Sequence, residues 1–243
     1  MKMIFSRLTG LALVVAATVV GPSVAQAQNP PAGSIFDLAT AHPAALTTYT
    51  QFTTSFVADI TGTEYVSFAF REAPAYFAFD DASVVLNGTS TNLLADPGFE
   101  SAAFGQNCNH NNSLGCPSGW SAWIQPVDTS AIGQIATTSS PYGCNVGANS
   151  GTTFWCDGSV QGYDGIYQGI STTLGQTYNI SFWLEDDSES GITNPTVDML
   201  VYAGDSIPVG TVSIGGVPEP LTFGLTGFGL AALGFLRLRR RAA

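Results

Sequence analysis

Within 243 residues the chain carries eighteen acids, seven bases and a formal net charge of −11. The bases lie at the ends, Lys2 and Arg7 at the start and Arg237, Arg239, Arg240 and Arg241 at the finish, so residues 28–220 hold Arg71 alone and a net charge of −17. Phosphate binding needs clustered Lys and Arg, which excludes nucleic acid as a partner, while about 190 residues between the ends suffice to bury one core.

Lys2 and Arg7 precede an apolar stretch from Leu8 to Val20, and Ala25-Gln26-Ala27 has the small-x-small pattern of a cleavage site. Residues 1–27 therefore read as a signal peptide whose helix is not part of the fold, and the mature chain is expected to begin at Gln28. Residues 28–50 form a leader. Gln28 to Ser34 is rich in Pro and Gly, and Ile35 to Thr50 has weak helical character broken by Pro43. Residues 51–216 are expected to form the folded domain. Short β-branched and aromatic runs separated by turn residues predict strands over Phe52–Val57, Glu64–Phe70, Tyr76–Phe79 and Ala82–Leu86. Further strands are predicted over Gly165–Ile170, Thr177–Leu184, Val197–Tyr202 and Gly210–Ile214, with long polar loops at 101–119 and 138–164. Short strands with almost no helix point to an all-β sandwich or jelly roll.

Four cysteines, Cys108, Cys116, Cys144 and Cys156, fall inside the two loops. An even number in an exported chain reads as two disulfides with three possible connectivities. The local pairs Cys108–Cys116 and Cys144–Cys156 are preferred because they close short loops. Zinc held by Cys108, His110 and Cys116 is the alternative, weakened by the absence of a paired C-x-x-C.

The chain ends in Val217-Pro218-Glu219-Pro220, an uncharged run from Leu221 to Leu236, and Arg237-Leu238-Arg239-Arg240-Arg241. The prolines stop a preceding strand, the run can satisfy its backbone as a transmembrane helix, and the arginines stay on the cytoplasmic side. Its sixteen residues reach only about 24 Å, short of a hydrocarbon core of about 30 Å. That length suits a transient hold. This order, in segment 217–243, resembles the PEP-CTERM sorting signal. The resemblance implies handling by an exosortase-type membrane protease or transpeptidase, with Val217, Pro218, Glu219, Pro220, Arg239, Arg240 and Arg241 as the sorting residues. It further implies a Gram-negative, exopolysaccharide-making bacterium, in which the protein passes through a membrane-anchored stage to the cell surface or the biofilm matrix. A plain single-span anchor is the other reading.

Asn92-Leu-Leu-Ala-Asp-Pro-Gly-Phe-Glu100 with Trp120, and Leu174-Gly-Gln-Thr-Tyr-Asn-Ile-Ser-Phe182, look like the first half of a galactose-binding-like carbohydrate-binding module. Phe52–Val57, Glu64–Phe70 and Ala78-Phe-Asp-Asp-Ala-Ser-Val84 resemble its closing half. The closing half comes first here. Either the halves close one circularly permuted jelly roll, or two partial modules follow one another; the first is expected, because two incomplete sheets would leave costly edges. The resemblance implies a structural calcium ion held by Glu100 and Asp81, with Asp80 as the weaker choice, and backbone carbonyls completing the shell. Glu185-Asp186-Asp187-Ser-Glu189 is a second acidic cluster, read as solvated.

For a glycan ligand the candidates are ring side chains placed in loops: Trp120, Trp123, Tyr142, Trp155, Tyr163 and Tyr167. Trp183, inside a strand, is assigned to the core. Catalysis finds little to work with. His42 and His110 are the only histidines, and neighbouring acids such as Asp80 and Asp81 point to opposite faces of a regular strand. The expectation is an exported, non-enzymatic protein that binds exopolysaccharide; a purely structural acidic matrix component and a secreted glycosidase are the rivals.

Overall fold

The computed structural model describes residues 29–108, 115–125, 133–186, 191–193 and 196–208. The signal peptide, the Gly210–Ile214 strand and the whole 217–243 segment lie outside them. Ten strands and one short helix follow in order: β1 Phe36–Asp37, α1 Leu38–Ala41, β2 Thr50–Val57, β3 Gly62–Glu72, β4 Phe77–Leu86, β5 Ser121–Ile124, β6 Gln134–Thr137, β7 Thr153–Asp157, β8 Asp164–Thr172, β9 Thr177–Asp186 and β10 Val197–Gly204. They build two antiparallel five-stranded sheets, the first ordered β1-β10-β3-β8-β5 and the second β2-β9-β4-β7-β6. In both sheets strands from the first half of the chain (β1 and β3; β2 and β4) are interleaved with strands from the second (β10 and β8; β9 and β7), so neither half makes a sheet of its own.

The core lies between the sheets because alternate residues of each long strand are apolar. Val66, Phe68 and Phe70 of β3 face Phe77 and Phe79 of β4 and Ile180, Phe182 and Leu184 of β9, all buried. Phe68 meets Phe79 across the layers with ring centroids 4.8 Å apart, and Phe182 at 5.6 Å. Burying rings of this size dominates the stability of such a sandwich, at roughly 1.5–3 kcal/mol for each side chain.

Runs Tyr76–Phe79 and Ala82–Leu86, expected as two strands, are one. Between Asp80 and Ser83 the register against β9 slips, Asp80 pairing with Trp183 and Ser83 with Ser181. Three steps on β4 match two on β9, which is a β-bulge, and Asp81 there has φ +48°. The extra residue switches the inward positions from Phe77 and Phe79 to Ala82 and Val84.

Both outer faces carry a smaller apolar layer. On the first sheet Ala69, Trp123, Tyr163, Leu200 and Tyr202 cluster, with Ile207 against them. The leader packs here: Tyr202 Oη donates to the Pro31 carbonyl at 2.7 Å and Gln125 Nε2 to that of Asn29 at 3.1 Å. On the second sheet Ala78, Ala136, Phe154 and Cys156 lie under the loop that carries Cys144. The disulfides are Cys108–Cys116 and Cys144–Cys156. Both local pairs expected from spacing are therefore present.

Candidate functional site

The loop bearing Cys144 covers β6, β7 and the start of β4, leaving β2, β9 and the end of β4 open on the same outer face. There the strands form a shallow groove of about 430 Å³, lined by Thr53, Ser55, Ser83, Val85, Asn179 and Ser181, with backbone from Thr54 and Ile180. The register explains this composition. Thr53, Ser181 and Ser83 align as one row, and Ser55, Asn179 and Val85 as the next. Their neighbours Phe52, Phe56, Ile180, Phe182 and Val84 turn into the core, so strand alternation brings the hydroxyls and the amide to the outside. No charged side chain lines the groove.

A third row, Gln51, Trp183 and Asp80, follows next along the strands. Trp183 lies two residues from Ser181 on β9, on the same face, and is only part-buried. It is not a core residue, which corrects the sequence reading. The signal was available: Tyr178, Ile180, Phe182 and Leu184 all turn inward, and parity sends Trp183 out.

Beyond that row, the three carboxylates singled out as metal ligands clasp one segment. Asp80 Oδ2 accepts from the N–H groups of Asn149 at 2.9 Å and Ser150 at 3.2 Å, and its Oδ1 from Asp81 N–H at 2.8 Å. Asp81 accepts from Asn149 Nδ2 and Ser150 Oγ, each at 2.7 Å. Glu100 takes the N–H and hydroxyl of both Thr152 and Thr153 at 2.9–3.0 Å. A Cβ at Gly151, where φ is +63°, would overlap the Glu100 carboxylate. The bulge is what lets neighbours Asp80 and Asp81 reach the same loop, against the opposite-face expectation for a regular strand. Among the described residues no group of three His, Cys, Asp or Glu side chains is placed to hold a metal. The oxygens face N–H and O–H donors, so this is a hydrogen-bonded latch.

The electrostatics follow burial. Asp80, out of water and next to the Asp81 carboxylate, has its pKa pushed up to about 7 despite its three N–H donors. Burial also pulls Glu100 upward, but the donors of Thr153 and Thr152 outweigh it and hold that carboxyl below its usual range. Tyr49, whose hydroxyl donates to the Gly147 carbonyl at 3.0 Å, is raised by burial and by Asp80, Glu185 and Asp81.

Most of the expected ring contacts are not at any surface. Trp120 is 3 % exposed, Trp123 7 %, and Trp155 and Tyr163 fully buried. Trp120 stacks on Phe99 with centroids 5.3 Å apart, and its Nε1 donates to the Asp96 carbonyl. Trp123 Nε1 donates to Ser67 Oγ at 2.8 Å, Trp155 Nε1 to Asp157 Oδ2 at 2.9 Å and Tyr163 Oη to Asp198 Oδ2 at 3.1 Å. Each buried polar handle is satisfied, as a core position requires. These four are corrected from ligand contacts to packing. Tyr167 is part-buried on the first sheet, edge-on to Tyr65. Tyr142 alone of the set is well exposed, at 53 %, leaning on Tyr76. His110, Asp187 and Glu189, with the sorting residues Val217, Pro218, Glu219, Pro220, Arg239, Arg240 and Arg241, lie outside the described residues.

Comparison with protein-family models, curated proteins and solved structures finds no match to this chain.

Proposed function

We propose that this is an exported, non-enzymatic glycan-binding protein, sorted through its 217–243 segment by an exosortase-type enzyme and delivered to the cell surface or the extracellular matrix. The two sheets are read as one circularly permuted jelly roll. The observation that carries the functional reading is the open groove over β2, β9 and β4: a floor of hydroxyls and one amide, with Trp183 in the next outward row of β9. Hydroxyls and amides exchange hydrogen bonds with sugar hydroxyls, and an indole beside them offers a ring face.

The groove also speaks for a neutral ligand. Arg71 is the only Lys or Arg in residues 28–216, and it is 3 % exposed. No surface cation is available to hold uronate or phosphate groups, and the acidic surface repels them. A structural acidic matrix protein is the second reading, favoured by that same charge.

Residues 28–216 contain every described strand and both disulfides, so this segment is the unit to test. Retention by a neutral exopolysaccharide is expected, with none by alginate in the absence of divalent cations. Asn179→Ala should weaken retention by about tenfold, the worth of about 1.4 kcal/mol of lost hydrogen bonding. Retention by no neutral glycan would leave the structural reading.

A further inference from the structure

The four sheet edges of this sandwich are not alike. β1 has two residues, and β5 and β6 four each. The β6 edge is also covered: Ile135 exchanges backbone hydrogen bonds with Gly105 and Gln106, and Asn107 bridges to Gln134. β2 is different. Its eight residues pair with β9 along their whole length, from Thr50 opposite Leu184 to Val57 opposite Thr177. No backbone hydrogen bond joins them to any other described residue. In an antiparallel pair every second residue turns both its N–H and its C=O away from the partner strand, so β2 presents a row of open backbone groups.

Natural sheets blunt such an edge with charge, proline, a bulge or shortness. β2 uses none of them. From Thr47 to Ala58 the chain has no charged residue, no Gly and no Pro, in a segment whose net charge is otherwise −17. It is the one long edge at which two copies can meet without opposing carboxylates.

We propose that β2 is a self-association edge, pairing antiparallel with β2 of a second copy. A two-fold axis near the middle of the strand sets outer face against outer face, for example Thr53 opposite Ser55 and Gln51 opposite Val57, and inner face against inner face. The two second sheets then become one ten-stranded sheet. Thr53 and Ser55 also line the groove, so the two grooves come to lie side by side and a long ligand can occupy both, raising its avidity without a new contact. The occupant is a second copy because the edge is self-complementary and uncharged. Net charge opposes the meeting everywhere else, so pairing strengthens as salt screens it.

The test is sedimentation of the 28–216 protein at rising concentration, in about 0.01 M and about 1 M NaCl, where the screening length falls from about 30 Å to about 3 Å. A monomer–dimer equilibrium tightening on the order of tenfold is expected, with slowed amide hydrogen exchange confined to Thr50–Val57 in the dimer. The double variant Gln51→Glu, Val57→Glu places carboxylates along the edge at two exposed positions. It should stay monomeric, with the thermal midpoint of the wild-type monomer showing that it is folded. A monomer at high salt and high concentration overturns the proposal. So does a dimer that the double variant forms equally well, or one whose exchange protection falls elsewhere.

Discussion

Asp80 shows how one carboxylate can serve a loop at a cost that depends on pH. It is fully buried beneath Asn149 and Ser150, and its pKa of about 7 stands well above the ordinary aspartate value of about 3.9. Asp198, raised mainly by burial to about 6, behaves alike. In both, the folded state keeps a proton that the unfolded chain has released. Their stabilising effect is complete below about pH 4 and is lost as the pH rises to about 7. Glu100, held low by four donors, has the opposite sign and loses its contribution as the pH falls below the carboxylate range. Stability should therefore peak near pH ~4 and decline by on the order of a few kcal/mol toward pH ~8. Urea unfolding at both pH values checks this, and Asp80→Asn should flatten the slope; a rise in stability toward pH ~8 would reverse the assignment. Because the oxygens of Asp80, Asp81 and Glu100 face N–H and O–H groups, a chelator should leave the thermal midpoint unchanged. A drop of several degrees would mean that a cation replaces those donors. Glu100→Ala removes the acceptor for Thr152 and Thr153 and should cost about 1 kcal/mol, modest because water can replace it at this exposed position.

Among the elements, β7 and its disulfide hold the second sheet's cover in place. Cys144–Cys156 closes a twelve-residue separation, worth about 3 kcal/mol in the chain-entropy model. The double variant Cys144→Ser, Cys156→Ser should lower stability by about that amount in calorimetry, while Cys108–Cys116, far from this loop in sequence, is left intact. The long strands β2, β3, β8, β9 and β10 are legible in the sequence because each, eight or more residues long, holds a run of β-branched and aromatic residues bounded by turn residues. β5, β6 and β7, of four or five residues each, are not. They sit among Gly, Asn, Ser and Cys, whose turn chemistry conceals so short a run. That is why the sequence alone puts Trp123 and Trp155 in loops, where they read as ligand contacts. β4 reads as two strands because a bulge reverses the inward parity and looks like a break. The groove was only half legible: β9 parity predicts Asn179, Ser181 and Trp183 on one face, but the pairing of β9 between β2 and β4 is long-range and no local pattern announces it.

At the scale of the whole molecule, the two outer faces have different tasks. The first sheet is covered by the leader and by Ile207, so both ends of the described chain lie on that side. The second leaves its groove clear on the opposite side. On the proposed reading a groove without charged side chains holds its ligand through neutral hydrogen-bonding groups, and the affinity of a single groove for a short glycan should change little with salt, in contrast to a cation-driven contact. The most direct measurement is electrophoresis of the 28–216 protein through a gel containing a neutral exopolysaccharide, beside the variant Ser181→Phe, which fills the groove from an outward-facing position. Retarded migration of the wild type and free migration of the variant, with equal thermal midpoints, is the predicted result. Equal retardation of both, or of neither, would contradict the assignment of the groove as the binding site.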